Sequence, residues 1–250
     1  MTKDEILLQK RLIDLSRQAQ TKDIVLFSDF LNLNEQNIFH QTIPELFCRF
    51  EMSGGYGLSE RQMIAFLPDA LCYAWEYPIC CLQIKPKNQK FADKLTHRDV
   101  LGSIMNLGIT REMLGDILVE EQQIYVFCQE KIAEYLEHEI FRIRHTAVSA
   151  ARAEASEISI QPHVEPMEGI VTSNRLDSVI ACMCKISRSQ AGSLIKSGKV
   201  FINGRELTGV TYECKEQEII SVRSVGRFRY TGSFGETRKG RLKITYEKYV

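Results

Sequence analysis

The sequence predicts an α+β fold in three parts. Helices and a hairpin occupy 1–76, an α/β segment with a linker fills 77–168, and a compact basic module with an added hairpin spans 169–250. Three observations carry that prediction. Apolar residues recur in blocks, some at helical spacing and some in alternation. Clusters of Gly, Asn and Pro separate the blocks. Charge is also unevenly spread. The 250 residues hold 32 basic and 32 acidic side chains, a net of zero. Residues 171–250 hold 15 basic and 7 acidic, a net of +8, which leaves 1–170 at −8. Such asymmetry points to a nucleic-acid or membrane contact made by one part only.

Taken in order, 3–20 and 24–40 have helical spacing, the second with a break at Asn32-Leu33-Asn34. Strands at 46–52 and 62–67 flank the turn Ser53-Gly54-Gly55-Tyr56-Gly57, and Pro68-Asp69 ends the hairpin. A strand follows at 79–84. A helix over 98–106 is capped by Thr96, with Gly108 just past its end. Strands at 117–120 and 123–128 form a tight pair. A helix at 129–139 and a strand at 140–148 follow. Strand, helix, two strands, helix, strand is the ferredoxin-like (RRM-like) order. It serves RNA-binding modules and enzymes alike, so by itself it assigns no function. Residues 150–168, with Pro162 and Pro166, read as part strand and part linker.

The basic module begins near Ile170. Ser173 is the expected cap of a helix over 175–183, with Leu176, Val179, Ile180 and Met183 on one face. Ser187 caps a second helix over 188–196, whose apolar positions are Ala191, Leu194 and Ile195. Gly198 closes it in the left-handed conformation. A strand at 199–202 meets Asn203-Gly204, a strong hairpin turn, and another strand lies at 219–223. The N–H groups at the start of the second helix and Arg188 make an anion site suited to phosphate. Lys196 and Lys199 flank the far end of that helix. Arg175 and Lys185 add charge at the first helix and the connection. Beyond it, strand alternation puts Arg223, Arg227 and Arg229 on one face and Phe228 and Tyr230 on the other. The two rings are expected to pack on the domain; the alternative is base stacking. A polar Gly-rich loop at 231–240 and renewed alternation at 241–246 complete an extra hairpin with a basic face.

Ser-Asn-Arg-Leu-Asp at 173–177, Ser187-Arg188-Ser189-Gln190-Ala191, Leu194-Ile195, Gly198-Lys199-Val200 and Ile202-Asn203-Gly204 resemble the RNA-binding fold named after ribosomal small-subunit protein four, the S-four domain. With the tail included, the chain resembles the YlmH family of bacteria. The resemblance runs through Gly54-Gly55-Tyr56 with Glu60-Arg61, through His97-Arg98-Asp99-Val100-Leu101-Gly102 with Asn106-Leu107-Gly108, through Gly115-Asp116-Ile117 and through Gly226-Arg227-Phe228. The chain departs from that family at Gln217-Glu218, where Gly-Asp is usual. The resemblance implies an RNA-binding protein without catalysis, on rRNA or tRNA of the large ribosomal subunit carrying an obstructed peptidyl-tRNA. It also implies a link to cell division. The expected RNA contacts are Arg175, Lys185, Arg188, Ser189, Gln190, Lys196, Lys199, Asn203, Arg205, Arg223, Arg227 and Arg229, with His97 and Arg98 as a secondary contact.

Other chemistry finds little support. His97-Arg98-Asp99 spells a kinase triplet, but the Gly-rich phosphate loop, the strand Lys and the metal-binding Asp motif are missing. Cys182-x-Cys184 has the wrong spacing for zinc and no second pair follows, so no metal and no cofactor is expected. The eight cysteines sit mostly among apolar neighbours and read as reduced thiols. No stretch approaches 18 apolar residues, and the start reads as an amphipathic helix and not a signal peptide. A cytoplasmic monomer without membrane contact is expected. Two alternatives remain: an RNA-modifying enzyme of pseudouridine-synthase type with 1–170 as its catalytic part, and an adaptor that binds division proteins through the acidic region.

Overall fold

In a computed structural model of the chain, residues 2–57, 59–120, 123–153 and 164–249 are described. The chain divides into two compact units, 1–161 and 162–250.

The first unit opens with α1 (Lys3–Lys22), started by a reciprocal cap between Thr2 and Glu5. Next come β1 (Leu26–Phe27), α2 (Leu33–Thr42), β2 (Arg49–Ser53) and β3 (Met63–Leu67), with a three-stranded sheet in the order β1-β3-β2. The expected helix over 24–40 is corrected here. Leu26 and Phe27 pair with Phe66 and Ala65, and Asn32 starts a helix where a break was expected. Its side chain accepts from Asn34 and Glu35 N–H groups, and Glu35 returns a bond to the Asn32 N–H.

A second sheet follows. It holds β4 (Ile79–Pro86), β5 (Leu114–Glu120), β6 (Gln123–Gln129), β7 (Arg142–Ile143) and β8 (Thr146–Arg152), all antiparallel, in the order β5-β6-β4-β8-β7. Helices α3 (His97–Asn106) and α4 (Glu130–Glu139) cover one face, where Leu82, Ile84 and Val126 meet Val100, Ile104 and Leu136. The single strand expected at 140–148 is a short hairpin, because Arg144 takes a left-handed φ of 52° and reverses the chain. The two sheets are joined within one unit, so the expected division at 76/77 separates elements that share buried bonds. Asp116 on β5 accepts from the Tyr56 hydroxyl (2.8 Å) and from the N–H groups of Glu60 (2.6 Å) and Arg61 (3.1 Å). Buried Arg61 donates to the carbonyls of Leu114, Phe30 and Arg111 at 2.8–3.1 Å.

The second unit is one six-stranded sheet with two helices on one face. Its strands are β9 (Val164–Val171), β10 (Val200–Ile202), β11 (Arg205–Glu206), β12 (Glu218–Val222), β13 (Gly226–Glu236) and β14 (Leu242–Tyr249). They run in the order β11-β10-β12-β13-β14-β9. The expected boundary at 168/169 falls inside β9, which pairs with β14 from Val164–Tyr249 to Val171–Leu242. The part of 150–168 read as linker is therefore in its last five residues a sheet strand; 154–163 lie outside the described residues. Helices α5 (Leu176–Met183) and α6 (Arg188–Lys196) set Leu176, Val179, Ile180, Met183, Ala191 and Ile195 against Ile202, Ile220, Phe228, Tyr230, Ile244 and Tyr246. Phe228 and Tyr230 are only 2 % and 1 % exposed, so they pack on the domain and are not available to stack bases. The Gly-rich stretch at 231–240 is mostly strand. β13 runs on to Glu236 through register shifts at Gly232 and Gly235, and the turn closes between Thr237 and Arg241. Among the described residues no helix is long and apolar enough to cross a membrane.

Candidate nucleic-acid interface

Apart from His97 and Arg98, the sequence-predicted residues fall into two groups on the second unit. The first surrounds the start of α5 and the connection to α6. Ser173 does not cap α5; Arg175 occupies the cap position and makes no side-chain cap bond. The preceding loop is held instead by Leu176 N–H to Tyr212 O, by Cys214 N–H to Asn174 O and by the Tyr230 hydroxyl to Asn174 Oδ1. At the end of α5, Lys185 N–H bonds to Cys182 O and Ile186 N–H to Ala181 O, a helix-ending pair that needs a left-handed residue. Lys185 fills that position at φ 55°, where glycine is usual, and its side chain is exposed. Ser187 then caps α6 reciprocally with Gln190, as expected. The Gln190 Oε1 accepts from both the N–H and the hydroxyl of Ser187 at 2.9 Å.

Asp177 brings the two arginines of this group together. Its Oδ2 lies 2.7 Å from Arg188 Nη2 and its Oδ1 3.2 Å from Arg175 Nε. Arg188 Nη1 also reaches Thr172 Oγ1 at 3.4 Å. Burial pushes the Asp177 carboxyl up, but the hydrogen bonds from Arg188 and Arg175 outweigh it and hold it below the ordinary carboxylate range. One carboxylate shared by two guanidinium groups leaves a net positive charge, with both arginine side chains fixed and still 39 % and 48 % exposed. Fixed, partly exposed forks of N–H donors suit phosphate oxygens. Sequence reading missed Asp177. The available signal was that it is the one acidic residue in 171–205, among six basic ones.

Ser189, Lys196, Lys199 and Arg205 are exposed. Gly198 closes α6 at φ 67°, as expected, and Lys199 N–H bonds back to Leu194 O. Asn203 and Gly204 make the two-residue turn from β10 to β11 at φ 47° and 77°. The Asn203 Oδ1 accepts from Ile219 N–H at 2.8 Å, so this side chain is engaged in holding the turn to β12.

The second group lies on the other face of the sheet, since Phe228 and Tyr230 point into the helical core and their neighbours alternate away from it. Arg223 Cζ sits 4.8 Å from the centre of the Phe201 ring. Arg227 and Arg229 lie 5.3 and 5.6 Å from the Tyr249 ring, and Arg229 also donates to the Tyr249 hydroxyl (2.7 Å) and to Glu247 (3.1 Å). Phe201 and Tyr249 were not among the expected site residues. The departure at Gln217-Glu218 is accommodated locally. Gln217 takes φ 67°, and the Glu218 carboxylate accepts from the Tyr212 hydroxyl and the Lys215 N–H.

His97 and Arg98 lie in the first unit, at the start of α3, where Thr96 and Asp99 form the cap. Burial and the nearby Arg111 hold the His97 imidazole below its ordinary pKa, against the pull of Asp116 and Glu60, which favours the neutral form at pH 7. The motifs at 54–61 and 115–117 meet at the Asp116 and Arg61 joint. Gly115 is needed there, because a Cβ would fall 2.9 Å from atoms of Phe127 and Phe30. Among the described residues no group of three or more His, Cys, Asp or Glu side chains converges as a metal set would.

Residues 74–157 match the family described as "Putative RNA-binding domain in YlmH". The chain is 27 % identical over 250 residues to "Ribosome-associated protein quality control protein P2" of Bacillus subtilis (strain 168), covering 98 % of this chain and 96 % of that protein. In fold it is similar to "Cell division protein ylmH from Streptococcus pneumoniae", with a TM-score of 0.51 and 21 % identity over 64 % of this chain and 97 % of that one. The first two matches support the YlmH family for this chain, and the last supports a mixed α/β fold with antiparallel sheets.

Proposed function

We propose, from the support for the YlmH family, that this protein is a non-catalytic, cytoplasmic RNA-binding factor of ribosome-associated quality control. It engages rRNA or tRNA on the large ribosomal subunit. Its second unit is an S-four domain with an extra hairpin, and the sheet of β4, β5, β6 and β8 in its first unit is a ferredoxin-like platform. The observation that carries the reading is the Arg175–Asp177–Arg188 cluster beside the capped start of α6. Its ligand is a run of phosphates, which Lys185, Lys196, Lys199 and Arg205 extend along the same unit. Arg223, Arg227 and Arg229 add charge to the opposite face.

Binding to tRNA and to large subunits over a salt series tests this. Five phosphate contacts give a slope of log K against log salt of about −3.5 to −4.5. The double variant Arg188→Ala with Lys199→Ala should flatten the slope by roughly 1.4 to 1.8. A slope near zero, or an unchanged slope in the variant, removes the reading. A modified nucleotide that vanishes from rRNA or tRNA on deletion of the gene would instead favour an RNA-modifying enzyme.

A further inference from the structure

The face of the second unit's sheet away from α5 and α6 carries two aromatic rings in one row across the strands. Phe201 on β10 pairs with Ser221 on β12, and Ser221 pairs with Arg227 on β13. One step beyond the Phe228–Lys248 pair, the same register brings Arg227 across from Tyr249 on β14. Three strand spacings separate the rings, about 14 Å. Each ring carries a guanidinium group: Arg223 over Phe201, and Arg227 with Arg229 over Tyr249. Both rings are half-buried, so their positions are fixed while part of each remains accessible. Arg229 is a positioning residue, since it ties the Tyr249 hydroxyl to Glu247.

We infer that this face is a stacking platform for unpaired RNA bases, with Phe201 and Tyr249 as its two stations. This rests on the reading that the second unit binds RNA, and it names a different form of RNA for this face. Duplex phosphates suit the fixed arginine forks around Asp177, which offer donors and no apolar surface. Unpaired bases need flat faces, and guanidinium planes and aromatic rings supply them. Of the carboxylates on the face, Glu247 is held by Arg229, and Glu168 stands on β9 across from Thr245, away from both rings. Glu206 pairs across from Phe201 at the β11 edge with its carboxylate lying against Gly198, which leaves the span from Phe201 through Arg227 to Tyr249 to the arginines. Arg223 over Phe201, Arg227 and Lys243 add positive charge to the face.

Fluorescence anisotropy on the full chain tests the platform, with labelled ten-nucleotide single strands of U and of A and a 16-base-pair RNA duplex as probes. Phe201→Leu combined with Tyr249→Leu keeps apolar volume and removes both rings. Binding of both single strands should weaken about 20-fold or more, from at least about fivefold per lost stack, while duplex binding stays within about twofold. Phe201→Trp with Tyr249→Trp should bind single strands at least as tightly as the parent, which separates lost stacking from a damaged fold. Single-strand affinity unchanged in the leucine variant overturns the platform and leaves the phosphate cluster standing. Failure of the parent to bind either probe overturns both. A polyglutamate peptide that binds the parent and is lost in the leucine variant, with single strands unaffected, would assign the face to an acidic protein and overturn the inference.

Discussion

Each unit builds an antiparallel sheet with two helices on one face, and the two treat the remaining face in opposite ways. In the first unit Tyr125 and Phe127 on β6 would be candidate stacking rings, but they are buried at 3 % and 1 % exposure. Tyr56 from the β2–β3 hairpin lies on Phe127 with ring centres 4.8 Å apart and planes at 23°. In the second unit Phe201 and Tyr249 carry arginines and no helix of that unit. Charge follows the same division. Segment 74–157, which matches a family described as RNA-binding, holds 10 basic and 13 acidic residues, against the +8 of 171–250. Aromatic residues on a sheet are open to a ligand only where the chain does not cover them itself.

The largest effects should come from the seal in the first unit. Arg61→Ala removes the side-chain donor to the Phe30 and Arg111 carbonyls, leaves Leu114 O with only the longer bond from Arg111, and should cost about 3–5 kcal/mol. Urea unfolding followed by the fluorescence of the single tryptophan, Trp75, reads this unit alone. RNA affinity of the folded variant should stay within about twofold, and a large loss would tie the two units together functionally. Tyr56→Ala removes a ring stack and a bond to Asp116, and about 2–3 kcal/mol should be lost in the same assay.

Acid should separate the units further. Asp177 has its carboxyl pKa held down by Arg188 and Arg175 against burial, so its stabilising contribution is present above the ordinary carboxylate pKa and fades as pH falls through its lowered value. Asp116 is raised, chiefly by burial, so the cost of its buried charge is relieved as pH falls through that raised value. Hydrogen exchange at core amides from pH 5 to 3 should show the second unit losing protection that Asp177→Asn no longer loses. The Asp116 contribution should run the other way.

Among the smallest effects, Lys185→Gly and Gln217→Gly each relieve a left-handed residue and should raise stability by about 1 kcal/mol. Only Lys185→Gly should also flatten the salt slope for RNA, by roughly 0.7 to 0.9. Thermal melting and the salt series read the two properties separately.

Where local chemistry decides the structure, the sequence was readable. The Ser187–Gln190 cap, the left-handed Gly198 and the two-residue Asn203-Gly204 turn are each set by the backbone preferences of a few consecutive residues. Arg175 and Arg188 were legible as cations, but their meeting at Asp177 depends on how α5 packs against α6 and not on spacing. Partners distant in sequence were the main loss. β9 belongs to a sheet whose pairing strand lies some 80 residues on, and the Leu26–Phe27 strand is set by β3. Phe201 and Tyr249 escaped notice for the same reason, since sheet register alone puts them in one row with Arg227.

The central claim is that RNA is gripped by the second unit. Photocrosslinking of the full-length protein to tRNA and to large ribosomal subunits, read by mass spectrometry of the crosslinked peptides, tests it most directly. Adducts are expected within 172–249, densest between Arg175 and Arg205, with a second set between Arg227 and Tyr249. Adducts confined to 74–157 would contradict it.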